Sequence, residues 1–390
     1  MGLFGEKKME RVYAGIVDIR SGSIGIGIVA SEISEATPTV VFETRIPLQF
    51  KDTPTPREYF KLAKATLSRI ESHFKEEGTQ QLLAFDSDAE ISEVLVTCSS
   101  PWSHTVTRSI FFEKDEPFKV TKGLIADLVE EAEDESGTTH KESQIAGSAG
   151  FDVTDRRVTE MRANGYAVKD AVGHVVSSVQ FSQISSLMAT DITNLVYNFT
   201  ARIFPKAKGQ LRAYMSAFGS VMKEVDPDLK TFCAIDISGE ATEIAVVKDG
   251  VVQQTTFIPY GTTTLIRNIS RADKNSEHDS ASRLRAYSEK TIAVGDGAHI
   301  GEQLRTYQKN FTEAVEKLHE THHIPSSVVV SMLPGTDAIL MEQIAGSLSD
   351  ITKETHTFVT LEGGILAEIA RDAHDGIIAV LARSFHENHR

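Results

Sequence analysis

Two distant stretches of the chain share one pattern of apolar and polar residues. In each, an apolar run (Val12–Val17, then Thr231–Ile235) leads into a polar turn and a second apolar run. Residues 18–29 read DIRSGSIGIGIV, and residues 236–247 read DISGEATEIAVV. Further strand-like runs follow at Thr39–Thr44 and Val251–Ile258. Two copies of one strand–turn–strand unit predict two similar lobes rather than a solenoid.

Helical and strand-like patterns alternate along the rest of the chain. Helical spacing of apolar residues is found in Pro56–Phe74, Thr121–Glu133 with Thr121 as a possible N-cap, Ile184–Phe204, much of 262–325, Gly335–Leu348 and Ala373–Asn388. Strand candidates are Ser92–Cys98, Val106–Glu113, Arg157–Arg162, Val175–Ile184, Ser326–Ser331 and His356–Leu361. This mixture predicts an α/β fold.

Composition narrows the class of protein. The 390 residues are 41% hydrophobic and 24% charged, which suits two or three domains or one large bilobal unit. The net charge of −15 argues against a nucleic acid partner, which would need a basic face. Cys98 and Cys233 both lie in apolar runs, so we expect buried, reduced thiols in a cytoplasmic protein. No run approaches the roughly 20 apolar residues of a membrane span.

The sequence allows two interpretations of each end of the chain, one of which is contact with a membrane. The first residues, MGLFGEKK, are too short and too polar for a signal peptide. Phe4 with Lys7 and Lys8 either contacts a membrane surface or belongs to a frayed terminus. The last helical stretch either packs onto a lobe or lies on a membrane with its apolar residues Ile377, Ile378, Val380, Leu381 and Phe385.

The two hairpin turns are the best candidates for chemistry. Small residues at a turn let backbone N–H groups approach phosphate oxygens across a cleft. Asp18 and Asp236 are the candidate catalytic and Mg²⁺-binding residues, with Glu243 nearby as a third catalytic candidate. The candidate phosphate-binding residues are Arg20, Ser21, Gly22, Ser23, Ser238, Gly239, Glu240 and Thr242. Each turn alone is a weak signal, but its recurrence with the same flanking strands strengthens it.

These motifs resemble those of the actin-like ATPases, and the FtsA/PilM group in particular. DIRSGSIGIGIV resembles the first phosphate motif and DISGEATEIAVVKDG the second, while TFIPYGTTTLIRNI resembles the segment that follows in FtsA. VLVTCSSPWSHTVTRSIFF and VTEMRANGYAVKDAVGHVVSSVQFSQI resemble the small SHS2-like subdomain that FtsA and PilM insert in the first lobe.

The resemblance implies a bilobal actin-like ATPase fold with duplicated ribonuclease H-like lobes and one inserted subdomain. Residues 1–92 and 187–228 would form the first lobe, and 93–186 the insert. Residues 229–390 would form the second lobe, with a mostly helical part at 262–325. ATP and Mg²⁺ are the implied cofactors.

Several residues depart from the family pattern. Arg20 stands where the family has glycine, and it either reaches a phosphate or fills the space a phosphate would take. The second motif usually runs Gly-Gly-Gly-Thr-Thr-Asp, and four of its positions are replaced here by Ser238, Glu240, Ala241 and Glu243. The glycine pair expected against the adenosine is replaced by Ser331 and Met332, with Gly335 as the nearby glycine. The chain is therefore either an ATP-binding protein or a pseudo-ATPase.

Three functions follow from the resemblance. The first is an FtsA-like scaffold of cell division, which self-associates into filaments or dimers and links a tubulin-like division protein to the inner face of the cell membrane. The alternative is a PilM-like cytoplasmic platform that binds the tail of an inner-membrane protein of a type IV pilus or secretion machine. A small-molecule kinase of the same superfamily is the third, but no acceptor-activating aspartate can be located for it.

Overall fold

A computed structural model describes residues 11–52, 54–134, 150–292, 297–333 and 337–389. The strands are β1 (Arg11–Ile19), β2 (Ser23–Glu32), β3 (Thr39–Pro47), β4 (Ile91–Cys98), β5 (Ser103–Lys119), β6 (Phe151–Ala163), β7 (Tyr166–Val168), β8 (Val175–Ala189), β9 (Lys208–Ala213), β10 (Thr231–Ile237), β11 (Thr242–Lys248), β12 (Val251–Ile258), β13 (Ser327–Met332) and β14 (Thr357–Thr360).

The helices follow the same chain order. They are α1 (Pro56–His73), α2 (Thr79–Phe85), α3 (Lys122–Asp134), α4 (Thr190–Ile203), α5 (Tyr214–Val225), α6 (Thr262–Asp273), α7 (Glu277–Ser288), α8 (Ala298–Thr321), α9 (Asp337–Thr352), α10 (Gly364–Ile369) and α11 (Gly376–Glu387). A π-helical turn, Phe74–Gly78, joins α1 to α2. Thr55 begins α1 with a capping box, because its side chain accepts from the Glu58 N–H while the Glu58 carboxylate accepts from the Thr55 N–H.

Two five-stranded sheets have the same topology. The first has the order β3-β2-β1-β4-β9 and the second the order β12-β11-β10-β13-β14. In both, three antiparallel strands are followed by two parallel ones. The repeated hairpin of the sequence is β1–β2 in the first sheet and β10–β11 in the second. The repeat is therefore a duplication of a whole sheet, as the sequence predicts.

A third, antiparallel sheet with the order β5-β8-β6-β7 lies between β4 and α4 in the chain. It has its own small core, to which α3 contributes Leu128. The limits predicted for the insert, 93–186, differ from the limits of this sheet, because β4 pairs with β1 in the first sheet and β8 continues to Ala189. We therefore propose that the insert spans 103–189, and the division into domains stays a proposal.

One hydrophobic cluster joins the two lobes. It contains residues of both large sheets together with α5 and α11. The apolar residues of α11 named above are at most 1% exposed. Each such side chain contributes about 1.5–3 kcal/mol to folding through burial. Of the two alternatives for this stretch, packing onto the protein is the one observed.

The remaining sequence predictions differ mainly at element ends. The helix predicted over Ile184–Phe204 is wrong at its start, because β8 runs to Ala189 between β5 and β6 and α4 begins only at Thr190. The predicted cap of α3 is observed, since the Leu124 N–H donates to Thr121 Oγ1 over 3.1 Å. Cys98 and Cys233 are buried free thiols, as predicted, and burial raises the pKa of Cys233 to about 12.

Candidate phosphate cleft between the two hairpins

The turns of the two hairpins touch at their glycines. A Cβ placed on Gly239 would lie 2.5 Å from the Cα of Gly22, and one placed on Gly22 would lie 2.9 Å from the Cα of Gly239. Atoms cannot approach that closely, so no side chain fits at either position. Ser21 and Ser238 tie the same turns together, with 2.7 Å between their hydroxyl oxygens. The Glu240 N–H also donates to Ser21 Oγ over 2.9 Å.

Arg20 crosses from the first lobe to the second directly behind this contact. Its side chain is 1% exposed. The Nη2 atom lies 2.5 Å from Asp236 Oδ1, and Nε lies 3.2 Å from Asp18 Oδ2. The guanidinium also packs over the ring of Tyr214, 4.6 Å from its centroid. The two aspartates predicted to hold Mg²⁺ are thus brought together, with an arginine between them.

A second arginine completes the charge balance at Asp18. Arg45 Nη1 lies 2.9 Å from Asp18 Oδ2, and Arg45 Nε lies 2.6 Å from Asp375 Oδ2. The same Nη1 donates to the buried Ser23 hydroxyl over 3.2 Å. Burial alone would lower the pKa of Arg20, but Asp236 and Asp18 outweigh it and raise that pKa, so Arg20 stays charged.

Glu243 lies in the second lobe, where its backbone pairs with that of Asp236. It is 3% exposed, and its Oε2 accepts from Ser100 Oγ over 3.0 Å. Burial, and then the charge of Asp236, raises the pKa of Glu243 to about 8. The side chain is therefore mostly protonated at neutral pH, and it connects the second lobe to the loop that follows β4.

Glu240 does not enter the space between the aspartates. Its carboxylate instead forms two hydrogen bonds with Arg267, at 2.5 and 2.8 Å, and one with Thr264 Oγ1 at 2.8 Å. Arg267 also donates to the Lys51 carbonyl over 2.9 Å and to the Tyr59 hydroxyl over 3.2 Å, both in the first lobe. Glu240 thus orients an arginine that bridges the lobes on the outer side of the hairpins.

The other predicted site residues are engaged in packing. Thr242 Oγ1 donates to the Tyr260 carbonyl over 2.9 Å. Ser331 lies 2.8 Å from the Tyr214 hydroxyl through its Oγ, and its side chain is fully buried. Met332 is 9% exposed. Gly335, the third adenosine-binding candidate, lies outside the described residues.

The space beside the two turns is small in the part of the chain that the structure describes. Two cavities border the contact between the turns, with volumes of about 60 and 80 Å³. Ligand pockets usually enclose about 300–1,000 Å³. The place of a divalent cation between Asp18 and Asp236 is taken by the guanidinium of Arg20. Among the described residues, no group of three or more histidine, cysteine or acidic side chains is arranged to hold a metal ion.

Sequence reasoning identified Arg20 but missed the groups around it. Arg45 and Tyr214 contact the Arg20–Asp18 pair, and Arg267 holds Glu240. A signal was present for Arg45, because it directly follows the strand-like run Thr39–Thr44 and lies within β3. Tyr214 and Arg267 carry no such signal, since helices commonly contain both residue types.

Comparison with known proteins identifies the fold of this chain. No family model and no curated protein matches this chain. A solved PilM–PilN type IV pilus biogenesis complex is similar at 12% identity, with a TM-score of 0.62, over 97% of this chain and 98% of that one.

Two further solved structures are similar with lower scores. One is a Bacteroides thetaiotaomicron protein with an actin-like ATPase fold and unknown function, at 10% identity and a TM-score of 0.41, covering 99% of both chains. The other is the ethanolamine utilization protein EutJ of Carboxydothermus hydrogenoformans, at 12% identity and a TM-score of 0.43, covering 96% of this chain and 89% of that one.

In the part of the chain that the structure describes, every helix is too short or too polar to cross a bilayer. The two large sheets share one strand order, and the match to the PilM–PilN complex extends over nearly the whole chain. This chain has the bilobal actin-like ATPase fold.

Proposed function

We propose that this chain is an actin-fold scaffold that works without nucleotide, in a PilM-like role. It binds the tail of a membrane protein of a pilus or secretion machine at the inner face of the membrane. The observation that carries the proposal is the Arg20 guanidinium buried between Asp18 and Asp236. A protein whose phosphate cleft is filled by its own side chain is left with binding as its activity.

Electrostatics supports a permanently filled cleft. Removing one partner of a buried ion pair typically costs about 3–5 kcal/mol, because a charge is left buried without compensation. A triphosphate would have to displace Arg20 and then lie against both aspartates. The negative charges of the phosphates and of the two aspartates would repel each other strongly in a buried site. The ligand would therefore lose the favourable cation and gain repulsion.

The similarity to the PilM–PilN complex supports the choice of partner. That structure contains a pilus biogenesis protein bound to PilN, and the likeness covers both chains almost completely. The alternative, an FtsA-like division scaffold, rests on the sequence resemblance. The two roles differ in what they bind: the tail of a membrane protein in one case, and a tubulin-like filament in the other.

Nucleotide titration tests the first half of the proposal. The purified full-length chain would be titrated with a fluorescent ATP analogue, with and without Mg²⁺. We expect no saturable binding tighter than about 1 mM, which corresponds to about −4 kcal/mol. Micromolar binding by the unaltered protein would contradict the proposal.

Co-sedimentation tests the second half. Vesicles would carry the tail of a PilN-type membrane protein, the partner in the similar complex, and bare vesicles would serve as the control. We expect the chain to sediment only with the tail-bearing vesicles, and equally with or without ATP. Assembly into filaments that depends on ATP, or recruitment by a tubulin-like protein instead of the tail, would favour the division role.

A further inference from the structure

Two arginines share one aspartate where the third sheet meets the edge strand β9 of the first lobe. Arg157 belongs to β6 and Arg212 to β9. Asp155 Oδ2 lies 3.0 Å from Arg157 Nε and 3.7 Å from Arg212 Nε. In the part of the chain that the structure describes, no second carboxylate lies within 4 Å of either guanidinium. The cluster therefore combines two positive charges with one negative charge.

Arg212 is the less well paired of the two arginines. The residue is 8% exposed, and its Nε has no hydrogen-bond partner among the described residues, because Asp155 Oδ2 lies beyond bonding distance. Its Nη2 donates over 3.2 Å to the side-chain carbonyl of Gln210, which is uncharged. Burial, and then the charge of Arg157, lowers the pKa of Arg212, and Asp155 offsets this only in part. Arg212 is thus a buried cation that shares its counter-ion with Arg157.

Ser186 supplies a second buried donor at the same place. It is the β8 residue that pairs with Asp155 of β6, so the two side chains lie next to each other on one face of the third sheet. Ser186 is fully buried, and its hydroxyl has no hydrogen-bond partner within the described part of the chain. Buried polar groups without partners are uncommon, because they destabilise the folded state. Arg212 Nε and Ser186 Oγ are therefore two unused donors, and both lie beside the Asp155 side chain.

The start of α5 adds positive potential to this cluster. Arg157 Nη2 donates to the hydroxyl of Ser216, which lies in the first turn of α5. Ala213, the residue before that turn, forms no side-chain cap. The first turn of a helix carries unpaired N–H groups and the positive end of the helix dipole. The helix and both guanidinium groups therefore favour a negative charge here.

We propose that Arg157, Arg212 and Ser186 form a binding site for one carboxylate group, which accepts hydrogen bonds from Arg212 Nε and from the Ser186 hydroxyl. The charge of the cluster determines the class of ligand, because a single negative charge balances two arginines and Asp155, whereas a phosphate dianion would exceed that balance. The Arg157 side chain is 28% exposed, so the site opens to solvent on that side. The carboxylate belongs to a small organic acid or to an acidic side chain of another protein. The inference does not depend on the proposed function.

Thermal unfolding in sodium acetate tests the site, with sodium chloride at equal ionic strength and pH as the reference. The unfolding midpoint of the full-length chain should rise with acetate concentration and level off as the site fills, because a ligand of the folded state stabilises it. Arg212→Met should weaken the fitted affinity at least about tenfold. Arg162→Met is the matched control, since Arg162 is an exposed arginine of the same strand as Arg157, and it should leave the affinity unchanged.

Further measurements on Arg212 separate binding from folding. In chloride, Arg212→Met should change the unfolding midpoint little, because Asp155 keeps its closer pair with Arg157. Arg212→Lys keeps the charge but lacks the Nε–H donor, so it should also weaken acetate binding. In protein labelled with isotopes at arginine, the Nε–H signal of Arg212 is identified by its absence from the Arg212→Met spectrum. That signal should shift saturably on addition of acetate.

A glutamate with its amino and α-carboxyl groups blocked as amides distinguishes the two sources of the carboxylate. Binding tighter than that of acetate supports an acidic side chain of a partner, and equal or weaker binding supports a small organic acid.

Three outcomes would overturn the site. The first is a midpoint that rises equally in the native chain and in Arg212→Met, which would be a general effect of acetate. The second is tighter binding of inorganic phosphate than of acetate. The third is an Arg212→Met protein that is unfolded in chloride, which would mean that the fold itself satisfies this arginine. The nucleotide titration and the vesicle experiment decide the proposed function independently.

Discussion

Arg20 of the first lobe places its Nη2 atom 2.5 Å from Asp236 Oδ1 of the second, and both side chains are 1% exposed. A guanidinium thus sits between two aspartates that the sequence suggests as ligands of Mg²⁺. The pair joins the lobes at the point where the two hairpin turns meet.

Replacing Arg20 with methionine should destabilise the protein by about 3–5 kcal/mol, because Asp236 would be left buried without its cation, while Asp18 would keep only Arg45. Urea unfolding measures the change. The double variant Arg20→Met/Asp236→Asn should recover part of the loss, since it removes one uncompensated charge. Arg202→Met, which breaks an exposed pair with Glu71, should cost less than about 1 kcal/mol. Equal effects of the two single arginine variants would contradict the role of Arg20.

Gly239→Ala should destabilise the protein by about 1–3 kcal/mol, the usual cost of overpacking. The added methyl group would lie 2.5 Å from the Cα of Gly22, and backbone atoms cannot move aside as a flexible side chain can. Thermal unfolding measures the loss. Gly364→Ala is the control, because a Cβ there would meet no atom within 4 Å. A neutral Gly239→Ala variant would mean that the two turns are not in contact.

Glu243→Gln should change how stability depends on pH. Burial raises the pKa of Glu243 to about 8, so the folded state favours the protonated carboxyl. Its contribution to stability is complete below the unfolded pKa of about 4.3 and falls as the pH rises toward 8. Glutamine does not titrate. The free energy of unfolding of the variant should therefore rise relative to that of the native protein between pH 5 and pH 8, by a few kcal/mol. This difference should level off above pH 8.

Urea unfolding at a series of pH values measures that gain. The exposed Glu76→Gln variant is the control for the same substitution at the surface. A difference between Glu243→Gln and the native protein that stays constant with pH would mean that Glu243 is ionised in the folded state.

Phe385→Ala in α11 should cost about 3–5 kcal/mol, as for other fully buried aromatic residues, because Phe385 is 1% exposed in the core between the lobes. Differential scanning calorimetry measures the loss. Binding to anionic vesicles should not change, since the apolar residues of this helix face the protein. Unchanged stability together with weaker vesicle binding would instead support a membrane role for α11.

The sequence predicted the duplicated hairpins because each is local: a strand, a turn and a strand within a few residues. It identified Arg20 because a charged residue replaces an expected glycine. The sequence could not predict that Arg20 pairs with Asp236, because the two residues are 216 positions apart and their contact depends on how the lobes dock.

The end of β8 was misjudged for a different reason. Ile184, Leu187 and Met188 are spaced three and four residues apart, which suits a helix as well as a twisted strand with both faces buried. Pairing with β5 and β6 decides the matter, and such long-range pairing leaves no local signal. The meeting of Arg157 and Arg212 at one aspartate is equally invisible in sequence, since it arises where the third sheet packs against the first lobe.

The contact between Gly22 and Gly239, with Arg20 behind it, also determines how permanently the site between the turns is occupied. A diffusible nucleotide occupies its site according to its concentration, whereas a tethered side chain has a high effective concentration that never varies. Dilution or starvation cannot empty a site filled in this way. The proposed nucleotide-free role therefore implies that the shape of this protein does not respond to the energy supply of the cell.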